Sequence, residues 1–176
     1  MTRNRHWPGA VATAVLTMLL TGCAAADQED SMTPYEAQDT LVVLFDRIQT
    51  EVGGDWENQD DPSPMSCDVR GGGDGDGDGD GDGVQFTATR MSVYPRTMDE
   101  AKAATAAVTA LLTDEGYEIL ESGLFGEEGY DLTMTNNKGS NINFGGNDVA
   151  MGLNGGSDCR PGDFDQILDE LRSQEK

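Results

Sequence analysis

The chain has 176 residues, and its 33 acidic against 11 basic residues give a formal net charge of −22. That balance argues against nucleic acid as a partner, because phosphate backbones are gripped by Lys and Arg, and against a polybasic hold on anionic lipid headgroups. The length suits one domain with its own core.

The first element is an export signal. Arg3, Arg5 and His6 precede an apolar run from Val11 to Leu20, interrupted by Thr13 and Thr17. A basic start, a short apolar core and small residues before a cut form the secretory pattern. A spanning helix needs about 20 apolar residues, roughly twice this core. Leu20-Thr21-Gly22-Cys23 ends the run as a bacterial lipobox, with residues 1–22 removed and the lipid placed on Cys23. The alternative is an ordinary secreted protein cut after Ala24, Ala25 or Ala26. Each buried methylene contributes about 0.8 kcal/mol and stable anchoring takes two chains; a diacylglyceryl cysteine supplies both. The expected address is the extracytoplasmic face of the cell membrane. Cleavage leaves nine basic and 33 acidic residues, a net charge of −24. Residues 23–32 are the lipidated N-terminus and a tether reaching about 30 Å when extended. With Cys23 lipidated, Cys67 and Cys159 remain as an even pair in an oxidising compartment and are expected to bond.

Residues 33–176 read as a single α+β domain. Thr33, Pro34 and Glu36 make a capping box with proline in the first turn. Ala37, Leu41, Leu44, Phe45, Ile48 and Val52 follow at helical spacing, and Gly53-Gly54 stops the helix. Residues 55–83 are atypical: Trp56 among acids, Asp60-Asp61-Pro62, Cys67, and then glycines with five Asp-Gly pairs from Asp74 to Gly83. No apolar face is possible over 71–83, which reads as a disordered loop. Val84, Phe86 and Ala88 alternate with Gln85, Thr87 and Thr89 as a half-buried strand. Thr97 and Glu100 form a second capping box, opening a helix with Ala101, Ala104, Val108, Leu111 and Leu112 on one face and Gly116 at its end. Strands are expected at 117–121, 129–135, 141–144 and 149–153, with turns at 136–139 and 145–148. Phe164, Ile167, Leu168 and Leu171 mark a last helix after Pro161-Gly162-Asp163. The order implies a mostly antiparallel sheet of four to five strands with helices packed on one face.

In sequence order, the lipobox and first helix precede Trp56, Asp60-Asp61-Pro62 and Cys67. A helix follows, then Glu121-Ser122-Gly123-Leu124-Phe125, Tyr130-Asp131, an Asn- and Phe-bearing strand pair and Gly156-Ser157-Asp158-Cys159. This pattern, over roughly residues 35–164, resembles the LppA-like lipoproteins of mycobacteria and related actinobacteria. The resemblance implies a cell-membrane lipoprotein with a lipidated Cys23 and a Cys67–Cys159 pair. It supplies no catalytic residue, and the Asp-Gly run is not part of it.

Candidate chemistry is sparse. Asp74 to Gly79 matches the start of a calcium loop, but the twelfth position, which needs a bidentate Glu, is Gln85. The glycine-rich calcium repeat fails too, because its Asp position falls on Gly77 when Gly72 starts the motif. A divalent-cation-responsive surface protein is the second functional reading. His6, the one histidine, lies in the signal, so the mature domain lacks histidine-based nucleophilic catalysis and histidine metal ligands. A carboxylate-dependent glycan hydrolase is the third reading, with Glu127-Glu128 beside Tyr130-Asp131 as the first place to look. Met91, Met98, Met134 and Met151 read as core packing rather than copper ligands, and Trp56 as a packing anchor beside the disulfide.

One surface stands out. With Leu132, Met134, Ile142, Phe144, Met151 and Leu153 inward, alternation puts Thr133, Thr135, Asn141 and Asn143 on the opposite face. Asp131, Ala150, Gly152 and Asn154 join them, with Gln85, Thr87 and Thr89 from the first strand. That nearly uncharged face is a docking candidate for an envelope glycan, lipid headgroup or protein; an ordinary solvated sheet face is the plainer alternative. The expected function is a monomeric, lipid-anchored, non-catalytic binding or scaffolding module without a cofactor.

Overall fold

The computed structural model describes residues 32–60, 63–69, 82–93, 97–124 and 129–174. The signal segment, Cys23, most of the tether and of the Asp-Gly run, and Glu127-Glu128 lie outside them.

Helix α1 (Pro34–Val52) begins at the expected capping box, with Thr33 Oγ1 accepting the Glu36 N–H (3.2 Å) and the Glu36 carboxylate accepting the Thr33 N–H (2.8 Å). The bonds that the carboxylate accepts from the Thr33 N–H and from the Thr33 hydroxyl hold the Glu36 carboxyl below its ordinary range. Gly53 ends the helix at φ 70°, a left-handed conformation suited to glycine. Helix α2 (Met98–Asp114) repeats the device with Thr97 and Glu100. Helix α3 spans Phe164–Gln174.

Among the described residues eight strands make the sheet rather than the four to five expected: β1 (Glu57–Asn58), β2 (Pro64–Cys67), β3 (Gly83–Ser92), β4 (Glu118–Leu124), β5 (Gly129–Thr135), β6 (Asn141–Asn147), β7 (Met151–Gly156) and β8 (Arg160–Pro161). Every pairing is antiparallel. The order is β1-β3-β7-β6-β5-β4, so β4 to β7 form a meander and α2 connects β3 to its far side. The three added strands, β1, β2 and β8, have two to four residues each, too short to show an alternating pattern, and β2 and β8 carry Pro64 and Pro161.

The long strand β3 organises the sheet. Val84 pairs with Ser66 on one edge and Arg160 on the other, while Met91 pairs with Glu57 and Gly152. Thus β1 and β2 flank one edge, and β7 and β8 the other. Ser157 joins β7 to β8: its N–H donates to Phe86 O (2.8 Å) and its hydroxyl accepts the Phe86 N–H (3.0 Å). Gly83 opens β3 and the Asp82 carboxylate accepts the Val69 N–H (3.0 Å), so the end of the predicted loop is ordered instead. The strand also continues through Gly145 and Gly146, where a turn was expected, because both neighbours hydrogen-bond to them; the chain turns at 148–150.

The core lies between the helices and one sheet face. The six residues expected inward on β5 to β7 are all at most 1% exposed. They pack with Leu41, Leu44, Phe45 and Ile48 of α1 and with Ala104, Val108 and Leu112 of α2. Val84 and Phe86 form a second cluster with Phe164, Ile167 and Leu171, placing α3 on the same face. No helix among the described residues is long and apolar enough to cross a membrane.

Cys67 and Cys159 are bonded, across 92 residues of chain. Cys67 sits opposite Gly83 on one edge of β3, and Pro161 sits opposite Gly83 on the other. The bridge therefore crosses β3 at Gly83. Trp56 is not beside it. The indole N–H donates to Gly53 O (3.0 Å) and the ring packs on the main core, while the adjoining β1 pairs at Met91, eight positions and about 26 Å along β3 from Gly83.

Candidate functional site

With the three described helices on one face, no described element covers the other face of the β3-β7-β6-β5 sheet. Registry turns the sequence alternation into rows across it. Thr133, Asn143, Asn154 and Thr89 lie side by side. The Thr133 hydroxyl donates to Asn143 Oδ1 (2.8 Å), and Asn143 Nδ2 donates to Asn154 Oδ1 (3.2 Å). Beside this row run Thr135, Asn141, Gly156 and Thr87. Asn141 is exposed, whereas the Thr135 hydroxyl turns away and donates to Ser140 O (3.0 Å) in the β5–β6 turn. Of the four residues singled out for docking, the structure joins Thr133 and Asn143 through side chains and places Thr135 and Asn141 in the next row.

The row on the other side is the informative one. Asp131, Gly145, Gly152 and Met91 stand in register, so the two central strands carry no side chain there. A hollow of about 330 Å³ results, floored by glycine, with Met91 and Asp131 at its sides and Asn143 and Asn154 at one end. A Cβ on Gly152 would meet nothing within 4 Å, and one on Gly145 only Asp131 Oδ1 at 3.4 Å and Tyr130 O at 3.4 Å. These glycines therefore keep space open above the sheet and do not relieve a clash. Met91 is 41% exposed on this face, a departure from the core packing expected of it; Met134 and Met151 are core.

Other motifs of the sequence are structural. Arg90, missed in the sequence, is 1% exposed on the helix side of β3. It pairs with Asp60, stands 3.8 Å from Asp46 and lies 5.7 Å above the Phe45 ring. Burial lowers its pKa and Asp46 opposes that shift. Asp60 of the Asp-Asp-Pro motif thus anchors the chain after β1. Asp158 bridges Asn136 Nδ2 (2.7 Å) and Arg160 Nη2 (2.8 Å), clamping the β5–β6 turn beside the disulfide. The buried Tyr117 hydroxyl meets Ser140 Oγ at 2.8 Å, and burial raises its pKa. Of the proposed carboxylate site, the described residues place Tyr130 and Asp131, adjacent in β5, and Asp131 is the one carboxylate among them. No group of three or more His, Cys, Asp or Glu among them is arranged to hold a metal.

No family model matches the chain, and no curated protein matches it. Two crystal structures are similar to the chain. The LppA lipoprotein of Mycobacterium tuberculosis is 16% identical, with a TM-score of 0.50 over 78% of this chain and 82% of that one. A DUF4853 family protein from Actinomyces odontolyticus is 14% identical, with a TM-score of 0.47 over 77% of this chain and 72% of that one.

Proposed function

We propose that this protein, whose fold is LppA-like, is a member of the LppA-like lipoproteins that works as a non-catalytic binding module in the cell envelope. It is held on the extracytoplasmic face by a lipid on Cys23, and its open sheet face receives the partner. The carrying observation is the glycine-floored hollow beside the Thr133–Asn143–Asn154 ladder, a concave and nearly uncharged site on a chain of charge −22. The lipobox and the description of the similar structure as a lipoprotein support the address. Hydroxyl and amide side chains suit a partner rich in hydroxyl, amide or carbonyl groups, such as a glycan, a lipid headgroup or a protein surface.

Site-specific photo-crosslinking in native membranes tests the reading. A crosslinker at position 143 should give discrete adducts that one at the exposed Thr40 of α1 does not. Gly152→Leu, whose Cβ would meet nothing within 4 Å and whose side chain would occupy the hollow, should remove those adducts and leave the melting temperature unchanged. Equal adduct patterns from positions 40 and 143, or adducts insensitive to Gly152→Leu, refute it. Cys23→Ala should move the protein from the membrane to the soluble fraction.

A further inference from the structure

The sheet ends at β4, and among the described residues no strand pairs with its outer edge. All seven residues of β4 are exposed, including Ile119 at 53%, Leu120 at 70% and Leu124 at 65%. Helix α2 covers β5 and β6 but stops short of this edge, leaving an apolar groove of about 360 Å³ lined by Lys102, Thr105, Ala106, Thr109, Ile119 and Leu124. An open strand edge beside a helix-walled groove is the geometry that accepts an extended peptide as an added strand.

Registry tells what that strand must carry. Ile119 and Ser122 stand opposite Met134 and Leu132, on the helix side. Glu118 and Glu121 stand opposite Thr135 and Thr133, on the open side, and a bulge at Leu120 separates the two pairs. Among the described residues no cation pairs with Glu118, Glu121 or Asp131. We propose that the outer edge of β4 is a second binding site, next to the open-face hollow with Asp131 bordering both, taking an extended polypeptide in which apolar residues alternate with Lys or Arg. Its apolar side chains enter the groove against Ala106, Thr109 and Ile119, and its cations flank Glu118 and Glu121. A second copy of this chain is the wrong occupant: twofold β4–β4 pairing brings the same two glutamates alongside each other, and like charges across strands are destabilising.

The test uses the full chain in detergent micelles and three blocked octapeptides: alternating Val/Lys, alternating Val/Glu, and four Val followed by four Lys. Alternating Val/Lys should bind at least tenfold tighter than either control and slow amide exchange at residues 118–124. A Glu118→Lys/Glu121→Lys variant should reverse the preference toward Val/Glu, which also shows that the variant is folded. The proposal fails if the peptides bind equally, or if slowed exchange falls outside 118–124. It also fails if those amides are already protected in a concentration-dependent dimer without peptide. Gly152→Leu should leave peptide binding unchanged, separating this site from the hollow.

Discussion

Gly83→Ala should destabilise the protein through a single methyl group. The disulfide crosses β3 at this residue, between β2 and β8. A Cβ on Gly83 would lie 2.5 Å from Val69 Cγ2, 2.7 Å from Cys159 Sγ and 3.0 Å from Arg160 O. Val69 can rotate away, but Cys159 Sγ is covalently tied and Arg160 is held in the β8 ladder. Overpacking of this kind costs about 1–3 kcal/mol. Taking about 2 kcal/mol, a domain of this size should melt roughly 4–8 °C lower. Circular dichroism melts of wild type and Gly83→Ala measure the loss. Repeating the pair in a Cys67→Ala/Cys159→Ala background removes the fixed sulfur, and the penalty should fall by at least half. An unchanged melting temperature, or an equal penalty in both backgrounds, shows that the bridge does not occupy this space and refutes the reasoning.

Three further outcomes are expected. Cys67→Ala/Cys159→Ala opens a loop of 92 residues, so urea titration should show a loss of up to about 4–5 kcal/mol in the chain-entropy account; equal stability with and without reductant contradicts it. Asp60→Asn removes the shorter of the two described carboxylate contacts of buried Arg90 and should cost about 3 kcal/mol in the same titration, whereas Asp39→Asn, at an exposed position of α1, serves as the control. Tyr117 has a raised pKa through burial, so the folded state holds its proton longer than the unfolded one. Its contribution is complete below about pH 10, the ordinary tyrosine value, and is lost as pH rises from there through the folded value. Tyr117→Phe should flatten that alkaline decline in part, since Tyr35, raised by burial and by Glu170, retains its share; an unaltered slope counts against the assignment.

The helices were legible because their signals are local. Thr33 and Glu36, or Thr97 and Glu100, meet within one turn, so the sequence spacing is already the geometry. Strands β5 to β7 were legible for a related reason: period-2 alternation assigns each residue a face wherever the sheet lies. The short strands β1, β2 and β8 were not, because two to four residues carry no period and each exists only through its pairing with β3. Arg90 leaves a trace in the sequence. It stands at an inward position of the Val84, Phe86, Ala88 alternation, where a charge must find a partner. That partner, Asp60, lies 30 positions earlier and is brought in only by β1.

The candidate site divides along the same line. Parity put Thr133 and Asn143 on the open face, but no property of either residue announces their contact or the hollow beside them. The hollow exists because Gly145 and Gly152, in different strands, fall into one row between Asp131 and Met91. Read along the chain, Gly145-Gly146 is a turn signal; read across the sheet, Gly145 is half of a floor. A shift of β7 by one residue relative to β6 would set Gly152 beside a residue other than Gly145 and turn β7's side chains to the opposite face. The strongest demand on the site is therefore registry between neighbouring strands. The β6–β7 hairpin supplies it locally, where Asn147 Oδ1 accepts the Val149 N–H (2.9 Å) and the Ala150 N–H (2.8 Å) and so sets which residues pair. Asn147 belongs to the site as a positioning residue, through the turn it closes two residues away from the floor.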